Sequence, residues 1–163
     1  MTSGLSFRIA ECEDLQEILL ALRLLAESLG VIGCFKCTRD DIETAGFGPR
    51  REFTVMLAEL EGKIAAICLY FPMFSTWMGK PGLYIQDLFV HKEFRSARVG
   101  EKLLRHVARI AGSNGYRYLR LTVNHGNLGG ARFYIRHGFE PVNDETSYQL
   151  HGTAFDDFCD SGK

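Results

Sequence analysis

The sequence lacks a charge imbalance, a long apolar run and an even set of cysteines. Its 19 basic and 20 acidic residues leave a formal net charge of −1, which excludes the strongly basic surface that nucleic acids and anionic membranes attract. No stretch approaches the roughly 20 apolar residues of a membrane span, and residues 1–6 lack the pattern of a secretory leader. We therefore expect a cytoplasmic protein with no nucleic-acid partner and no membrane partner.

The five cysteines are irregularly spaced, a pattern that disfavours a disulfide framework and favours a reducing compartment. Cys34 and Cys37 form a CxxC pair, but neither a second pair nor a histidine cluster accompanies it, so no metal is expected. Walker and dinucleotide glycine patterns are also missing, which argues against an unrelated phosphate-binding α/β protein.

Length and composition fit one domain over residues 1–163, with 46% hydrophobic residues to form its core. Apolar periodicity and turn residues predict an order of strand, two helices, two further meander strands and then β-α-β-α-β. The predicted strands are 6–9, 53–60, 63–74, 83–91, 119–123 and 139–150, and the predicted helices are 13–29, a short one after Thr38, one from Val99 and one from Asn127 to His137.

This order predicts an α/β (α+β) fold with a mixed, mainly antiparallel sheet of six to seven strands flanked by helices. The right-handed crossover makes one parallel junction, between the fourth and fifth strands. A ligand site is expected where these two strands part.

The segment from Gln86 to Gly100 ends the fourth predicted strand and enters the following helix near Val99. The unpaired N–H groups of a helix's first turn converge, and the helix dipole adds positive potential, so a pyrophosphate can be held there largely by backbone. Arg95 and Arg98 would add charge-assisted hydrogen bonds.

Three features together resemble the GNAT superfamily of N-acetyltransferases. These are Arg95-x-x-x-x-Gly100 after a strand, Asn127 and Tyr134 seven residues apart, and Phe133-Tyr134-x-x-x-Gly138-Phe139. Three further motifs make the chain similar to the diamine (spermidine/spermine) and thialysine acetyltransferases. These are Gly46-Phe47-Gly48, Trp77-x-Gly79-Lys80 and Tyr84-x-x-Asp87-x-Phe89-Val90.

The resemblance implies acetyl-CoA as cosubstrate, a small primary amine as acceptor, a homodimer, and a sheet that splays after a bulge in the fourth strand. It implies Tyr134 as the general acid for the leaving thiolate, and the N–H of Leu88 as the group that polarises the thioester carbonyl. The cofactor-binding positions it implies are Leu88, Phe89, Val90, Arg95, Ser96, Ala97, Arg98, Val99, Gly100, Asn127 and Gly130. The substrate-binding positions are Gln86, Asp87, Trp77 and Thr122.

The sequence departs from this pattern at two positions. Arg98 stands where the family's loop has its first glycine, and if that position needs a positive φ, a non-glycine residue costs about 1 kcal/mol there. Gln86 stands where the diamine enzymes have a glutamate, and an amide cannot act as a base.

The base that deprotonates the amine is therefore open between Asp87, His125 and a bound-water relay. Because neighbouring strand residues face opposite sides, we expect that Asp87 cannot simply replace residue 86. The loss of a carboxylate favours a less highly charged acceptor, such as an amino-acid derivative, over spermine. Trp77 has three interpretations, as a wall of the substrate entrance, a dimer contact or a packed side chain.

The sequence thus predicts direct acetyl transfer from acetyl-CoA to the primary amine of a small molecule, in a ternary complex. A non-catalytic acyl-CoA-binding or regulatory module of the same fold is the competing hypothesis.

Overall fold

The computed structural model describes residues 4–142 and 145–160. The chain divides into two compact units, Met1–Gly126 and Asn127–Lys163. The first unit contains one sheet with helices on both faces, and the second contains two helices.

The sheet of the first unit has five strands in the order β1-β2-β3-β4-β5. The first four pair antiparallel, and β5 pairs parallel with β4. The predicted mixed, mainly antiparallel sheet with one parallel junction is confirmed. The strands are β1 (Ser6–Ile9), β2 (Thr54–Leu60), β3 (Lys63–Ser75), β4 (Lys80–Val90) and β5 (Leu119–Leu121).

The predicted sixth strand over residues 139–150 is wrong for the residues that are described there. Residues 139–142 and 145–150 have no regular secondary structure, and residues 143 and 144 lie outside the described part of the chain. Pro141 cannot donate a ladder hydrogen bond, and the polar run that follows it has low β-propensity. The strand predicted here therefore does not form, because Pro141 and the polar residues after it disfavour strand pairing.

The β2–β3 hairpin forms where the sequence predicts it. Glu61 and Gly62 connect the strands with φ values of 54° and 75°. Two successive residues with positive φ produce a type I′ turn, whose twist matches that of the flanking strands.

Both faces of the sheet are covered by helices of the first unit. The helix α1 (Leu15–Ser28) packs its buried residues Ile18 and Leu22 into one core with Leu57 of β2 and Ile67 of β3. The helix α3 (Val99–Ser113) contacts β2, β3 and β4 through its own buried stripe. Consecutive residues of β2 and β3 are buried, which means that both faces of these strands are covered. The sheet therefore forms the middle layer of this unit.

The short helix α2 (Arg39–Ile42) begins at the predicted cap. Thr38 accepts the backbone N–H of Asp41, and the Asp41 side chain accepts the N–H of Thr38 in return, which forms a capping box. The helix then continues as a π-helical turn through Phe47 and ends at Gly48.

The second unit contains α4 (Leu128–Arg136) and α5 (Thr153–Asp160). Asn127 caps α4 as predicted, and Gly138, with a φ of 86°, follows its end. The helix α5 was not predicted from the sequence. In the described ranges 4–142 and 145–160, none of the helices has the length and apolar character to cross a membrane.

Candidate active site

A β-bulge at Gln86 interrupts β4 in the middle of the sheet. Ile85 pairs with Tyr70 and Asp87 pairs with Leu69, so Gln86 is an extra residue opposite β3. The parallel pairing between β4 and β5 ends at the same level, because Ile85 and Leu121 are the last paired residues. The strand β4 continues through Val90, and the predicted parting of the two strands is therefore confirmed.

The bulge also sets the direction of the backbone groups beyond it. His91 donates its N–H to the carbonyl of Ala65, 2.9 Å away on β3, so Phe89, two residues earlier, faces β3 as well. Leu88 and Val90 alternate with these residues and direct their N–H groups away from β3. We call this side of β4, from Leu88 to Val90, the open edge.

A cavity of about 390 Å³ lies on the α1 face of the sheet, beside the bulge. Its walls come from α1, from the loop after α1, from the α2 region and from β3 and β4, and both Gln86 and Asp87 line it. The expectation that these neighbours face opposite sides is wrong, because the extra residue of a bulge breaks the alternation. Of the predicted substrate-binding positions, Gln86 and Asp87 line this cavity.

Asp87 places a half-buried carboxylate at the cavity. Burial raises its pKa from 3.8 to about 6, because a low-dielectric surrounding disfavours the charged form. Within the described residues, the Asp87 carboxylate forms no hydrogen bond and no ion pair. It is therefore available to a ligand that enters the cavity.

Two other titratable groups line the cavity. The pKa of the Cys37 thiol is raised, first by burial and then by the negative charges of Asp41 and Asp87. The pKa of Asp41 is lowered by the hydrogen bonds it accepts from the side chain and backbone of Thr38. Asp41 is thus an ionised carboxylate that is already engaged in capping α2.

The loop from His91 to Arg98 carries the chain from the open edge to α3. Arg95 donates its Nε–H to the carbonyl of Val90 at 3.2 Å, which ties the loop to the strand end. Gly100 is buried, and a Cβ placed there would meet the Val90 side chain at 3.0 Å. This glycine allows the start of α3 to lie close against β4.

The first turn of α3 presents backbone donors of the kind that an anion site uses. Lys102 donates its N–H to the carbonyl of Arg98, so the hydrogen-bond ladder of the helix begins at Lys102, and the N–H groups of Val99 and Gly100 precede it. Ser96 is exposed and Ala97 is partly exposed immediately before this turn, whereas Val99 is buried.

Arg98 adopts the left-handed conformation, with φ 55° and ψ 28°. The position is thus one that favours glycine, and a non-glycine residue costs about 1 kcal/mol there. The Arg98 guanidinium is paired with Glu101, with its Nη2 2.7 Å from the carboxylate, and Arg105 contacts the same carboxylate at 3.1 Å.

Trp77 and Thr122 lie apart from the cavity lining. Trp77 is 99% exposed in the turn between β3 and β4, so its interpretation as a packed side chain is wrong. Thr122 follows β5, and its Oγ1 lies 2.9 Å from the hydroxyl of Tyr84. This hydrogen bond joins the fifth strand to the part of β4 that precedes the bulge.

In the second unit, the Asn127 side chain accepts the N–H of Gly130 at 2.9 Å. A Cβ on Gly130 would approach Nδ2 of Asn127 to 2.6 Å, so the cap requires a glycine at this position. The half-buried Tyr134 ring makes edge contacts with Phe133 and Phe139, at centroid distances of 5.1 and 5.4 Å. Asn127 and Gly130 thus form the cap of the helix that carries Tyr134.

Comparison with known proteins decides the family. The model of the acetyltransferase (GNAT) family matches residues 21–139, which include the bulge, the open edge, α3 and α4. The chain belongs to the GNAT family. The resemblance inferred from Arg95, Gly100, Asn127 and Tyr134 is therefore confirmed.

Relatives of named function are similar to this GNAT chain over most of its length. The thialysine N-epsilon-acetyltransferase of Sus scrofa is 30% identical over 158 residues, which cover 90% of this chain and 92% of the relative. The spermidine/spermine N(1)-acetyltransferase-like protein 1 of Homo sapiens is 25% identical over 150 residues, 88% of this chain and 21% of that protein. The resemblance to the diamine and thialysine acetyltransferases is thus confirmed.

A solved structure shares the fold of this GNAT chain. An integron cassette protein from V. cholerae superimposes with a TM-score of 0.80 at 19% identity, and the match covers 98% of this chain and 99% of the other. At this level of identity the similarity supports the fold alone.

Proposed function

We propose that this GNAT chain transfers an acetyl group from acetyl-CoA to the primary amine of a small molecule, directly and in a ternary complex. The sequence predicts a diamine, thialysine or amino-acid-like amine as acceptor, the proposal itself requires only a small primary amine, and the active domain spans residues 1–163. The observation that carries the proposal is the open edge, where Leu88 and Val90 direct backbone donors away from β3 beyond the last β4–β5 pair.

The open edge and the start of α3 suit the two ends of acetyl-CoA. The backbone of Leu88, Phe89 and Val90 would pair with the pantetheine amides as an added strand does. The N–H groups at the start of α3, with Arg95 and the loop around Ser96 and Ala97, would hold the pyrophosphate. The close approach of Gly100 to Val90, 3.0 Å from a built Cβ, supports this fit because it brings the two sites together.

The bound acetyl-CoA supplies the activated acetyl group. In the proposed reaction the N–H of Leu88 hydrogen-bonds the thioester carbonyl and stabilises the negative charge that develops on its oxygen. The amine nitrogen bonds to the carbonyl carbon, the carbon–sulfur bond breaks, and the Tyr134 hydroxyl gives its proton to the departing thiolate. The proton that the nitrogen loses on becoming an amide restores the Tyr134 hydroxyl. Homodimer formation and a cytoplasmic location stay predictions alongside this reaction.

A thiol-release assay with acetyl-CoA and a panel of amines tests the proposal. The wild-type protein should release CoA thiol only when an amine is present. Tyr134→Phe should lower turnover about tenfold while the affinity for acetyl-CoA stays the same. We expect this modest factor because a thiol with a pKa of about 8.5 leaves more easily than an alkoxide and needs less help from an acid.

A second candidate function is a non-catalytic acyl-CoA-binding module, favoured by Arg98 at the loop's glycine position and by Gln86 at the glutamate position. In that case acetyl-CoA binds but no amine stimulates thiol release. Turnover of Tyr134→Phe equal to wild type would instead remove Tyr134 from the mechanism and leave the transfer itself standing.

A further inference from the structure

The residues that line the cavity beside the bulge suit a ligand with one positively charged group and an apolar body. Most of its lining is aliphatic or aromatic, with Leu25, Phe35 and Phe53 among the walls. Its charged residues, Asp41 and Asp87, are both acidic, and no lysine, arginine or histidine occurs among its lining residues in the described part of the chain. An occupant would therefore meet hydrocarbon, the Gln86 amide, the Cys37 thiol and negative charge, and no positively charged side chain of the described residues.

The two carboxylates are not equivalent. Asp41 accepts hydrogen bonds from the backbone and hydroxyl of Thr38, at 2.8 and 2.6 Å, and it serves the cap of α2. Asp87 is the more buried of the two, and within the described residues it has no hydrogen-bonding partner. A carboxylate that is partly removed from water and has no partner is less stable in its charged form unless a ligand pairs with it.

The peptide bond between Asp87 and Leu88 links this cavity to the open edge. Consecutive Cα atoms lie about 3.8 Å apart, so the cavity carboxylate and the N–H proposed to polarise the thioester stand on neighbouring residues. The bulge turns the side chain of Asp87 to the cavity, while the N–H of Leu88 points to the open edge. A group held by Asp87 therefore lies next to the place where acetyl transfer would occur.

We propose that this cavity binds the acceptor as a primary amine with an apolar body that lacks a carboxylate, and that Asp87 both anchors its ammonium group and accepts its proton. This inference rests on the proposed function. One proton moves from the ammonium nitrogen to a carboxylate oxygen of Asp87, and the freed lone pair forms the new nitrogen–carbon bond as the carbon–sulfur bond breaks. The thiolate takes the proton of Tyr134, and the second proton that the nitrogen loses restores the Tyr134 hydroxyl. Asp87 then occupies the role that a glutamate at position 86 has in the diamine enzymes.

The cavity selects against two other kinds of acceptor. An amino acid such as lysine or thialysine would bring a carboxylate to a site where the charged lining residues are acidic, and repulsion would weaken its binding. A diamine would bring a second ammonium that has to leave water, with only the Asp41 carboxylate, already engaged by Thr38, to receive it. A single ammonium on a hydrocarbon chain avoids both penalties.

Affinity for such an amine should depend on pH through Asp87. The groups that face it are Cys37 and Asp41 in the cavity, and the Cys68 thiol, whose own pKa is raised to about 12 by burial first and by Asp87 second. None of these is basic. With the Asp87 pKa near 6, about one-tenth of the carboxylate is ionised at about pH 5, so hexylamine should bind about tenfold more weakly there than at about pH 7.5.

Three amines of equal chain length test the selectivity: hexylamine, aminohexanoate, which adds a terminal carboxylate, and hexanediamine, which adds a terminal amine. We expect kcat/KM for hexylamine to exceed that for either analogue by at least about tenfold. Asp87→Asn should lower the hexylamine value about 100-fold, in the range of a lost general base, while calorimetry shows unchanged acetyl-CoA affinity. Asp40→Asn is the matched control, since Asp40 is an exposed residue of α2 outside the cavity lining.

Amine binding is also measured without acetyl-CoA, by ligand-observed NMR, so that this inference is tested apart from the proposed function. Hexylamine should bind the wild-type protein and the Asp40→Asn variant equally, and both should bind it about tenfold more weakly at about pH 5 than at about pH 7.5. The Asp87→Asn variant should bind hexylamine more weakly than either. Equal use of aminohexanoate, or unchanged hexylamine binding in Asp87→Asn, would overturn the inference. Normal amine binding without acetyl-CoA binding would support the cavity assignment and refute the proposed function instead.

Discussion

Leu88→Pro is expected to lower the rate of acetyl transfer by a factor of about 100 to 1,000, the loss measured when one oxyanion-stabilising donor is removed from an enzyme. Proline has no backbone N–H, and at residue 88 the missing donor is the one that faces the open edge. The antiparallel bonds between β3 and β4 use the residues on either side of it, so the sheet can stay paired. Amine-dependent thiol release at saturating acetyl-CoA measures the effect.

Leu88→Val is the matched control, because it keeps the N–H and a branched apolar side chain. We expect it to retain the rate within a few-fold, and both variants should show cooperative thermal unfolding. A Leu88→Pro variant that is folded and as fast as Leu88→Val would show that this N–H does not polarise the thioester carbonyl.

Asp87→Asn is expected to stabilise the folded protein by up to about 3 kcal/mol at neutral pH. The pKa of Asp87 is raised from 3.8 to about 6, and a shift of about two units at about 1.36 kcal/mol per unit gives this figure. The folded state holds the proton more tightly than the unfolded state, so the unfolding free energy is highest below about pH 4 and falls as the pH rises towards about 6. Asparagine does not ionise, so the unfolding free energy of the variant does not fall in this way as the pH rises.

Urea unfolding at two pH values measures the prediction, with Asp40→Asn as the control at an exposed site. The stabilisation by Asp87→Asn should be largest at about pH 7.5 and should fall to about half at about pH 5, where part of the wild-type carboxylate is protonated. Asp40→Asn should change the unfolding free energy little at either pH. A loss of stability in Asp87→Asn at neutral pH would mean that the carboxylate has a stabilising partner.

A gain in stability from a substitution that also lowers activity is typical of a functional site. A buried carboxylate without a partner is unfavourable for folding, and it is useful when a cationic ligand enters the cavity. Asp87 meets both conditions because it is turned into an apolar cavity with no hydrogen bond or ion pair among the described residues.

Local chemistry made several elements predictable from the sequence. Ser6–Ile9 is a strand at its predicted bounds, and Glu61-Gly62 forms the predicted tight hairpin. Thr38 and Asn127 cap helices through their side chains, as their residue types favour. In each case the residues that decide the structure are a few positions apart, so the sequence alone contains the interaction.

Features that depend on distant partners were predicted less well. The bulge in β4 was expected from the resemblance, but its effect on Gln86 and Asp87 depends on the register with Leu69 and Tyr70 of β3. The cavity is assembled from α1, α2, β3, β4 and a loop, and no short-range pattern reports such an assembly. The Arg98–Glu101 ion pair depends on the left-handed turn that precedes α3.

We propose that the open edge of β4 and the start of α3 hold acetyl-CoA. A calorimetric titration of the full chain with acetyl-CoA is the most direct test of this binding. We expect saturable binding of one cofactor per chain with a Kd below about 1 mM, which corresponds to a binding free energy stronger than about −4.1 kcal/mol. No heat of binding at millimolar acetyl-CoA, from a protein that unfolds cooperatively, would contradict the claim.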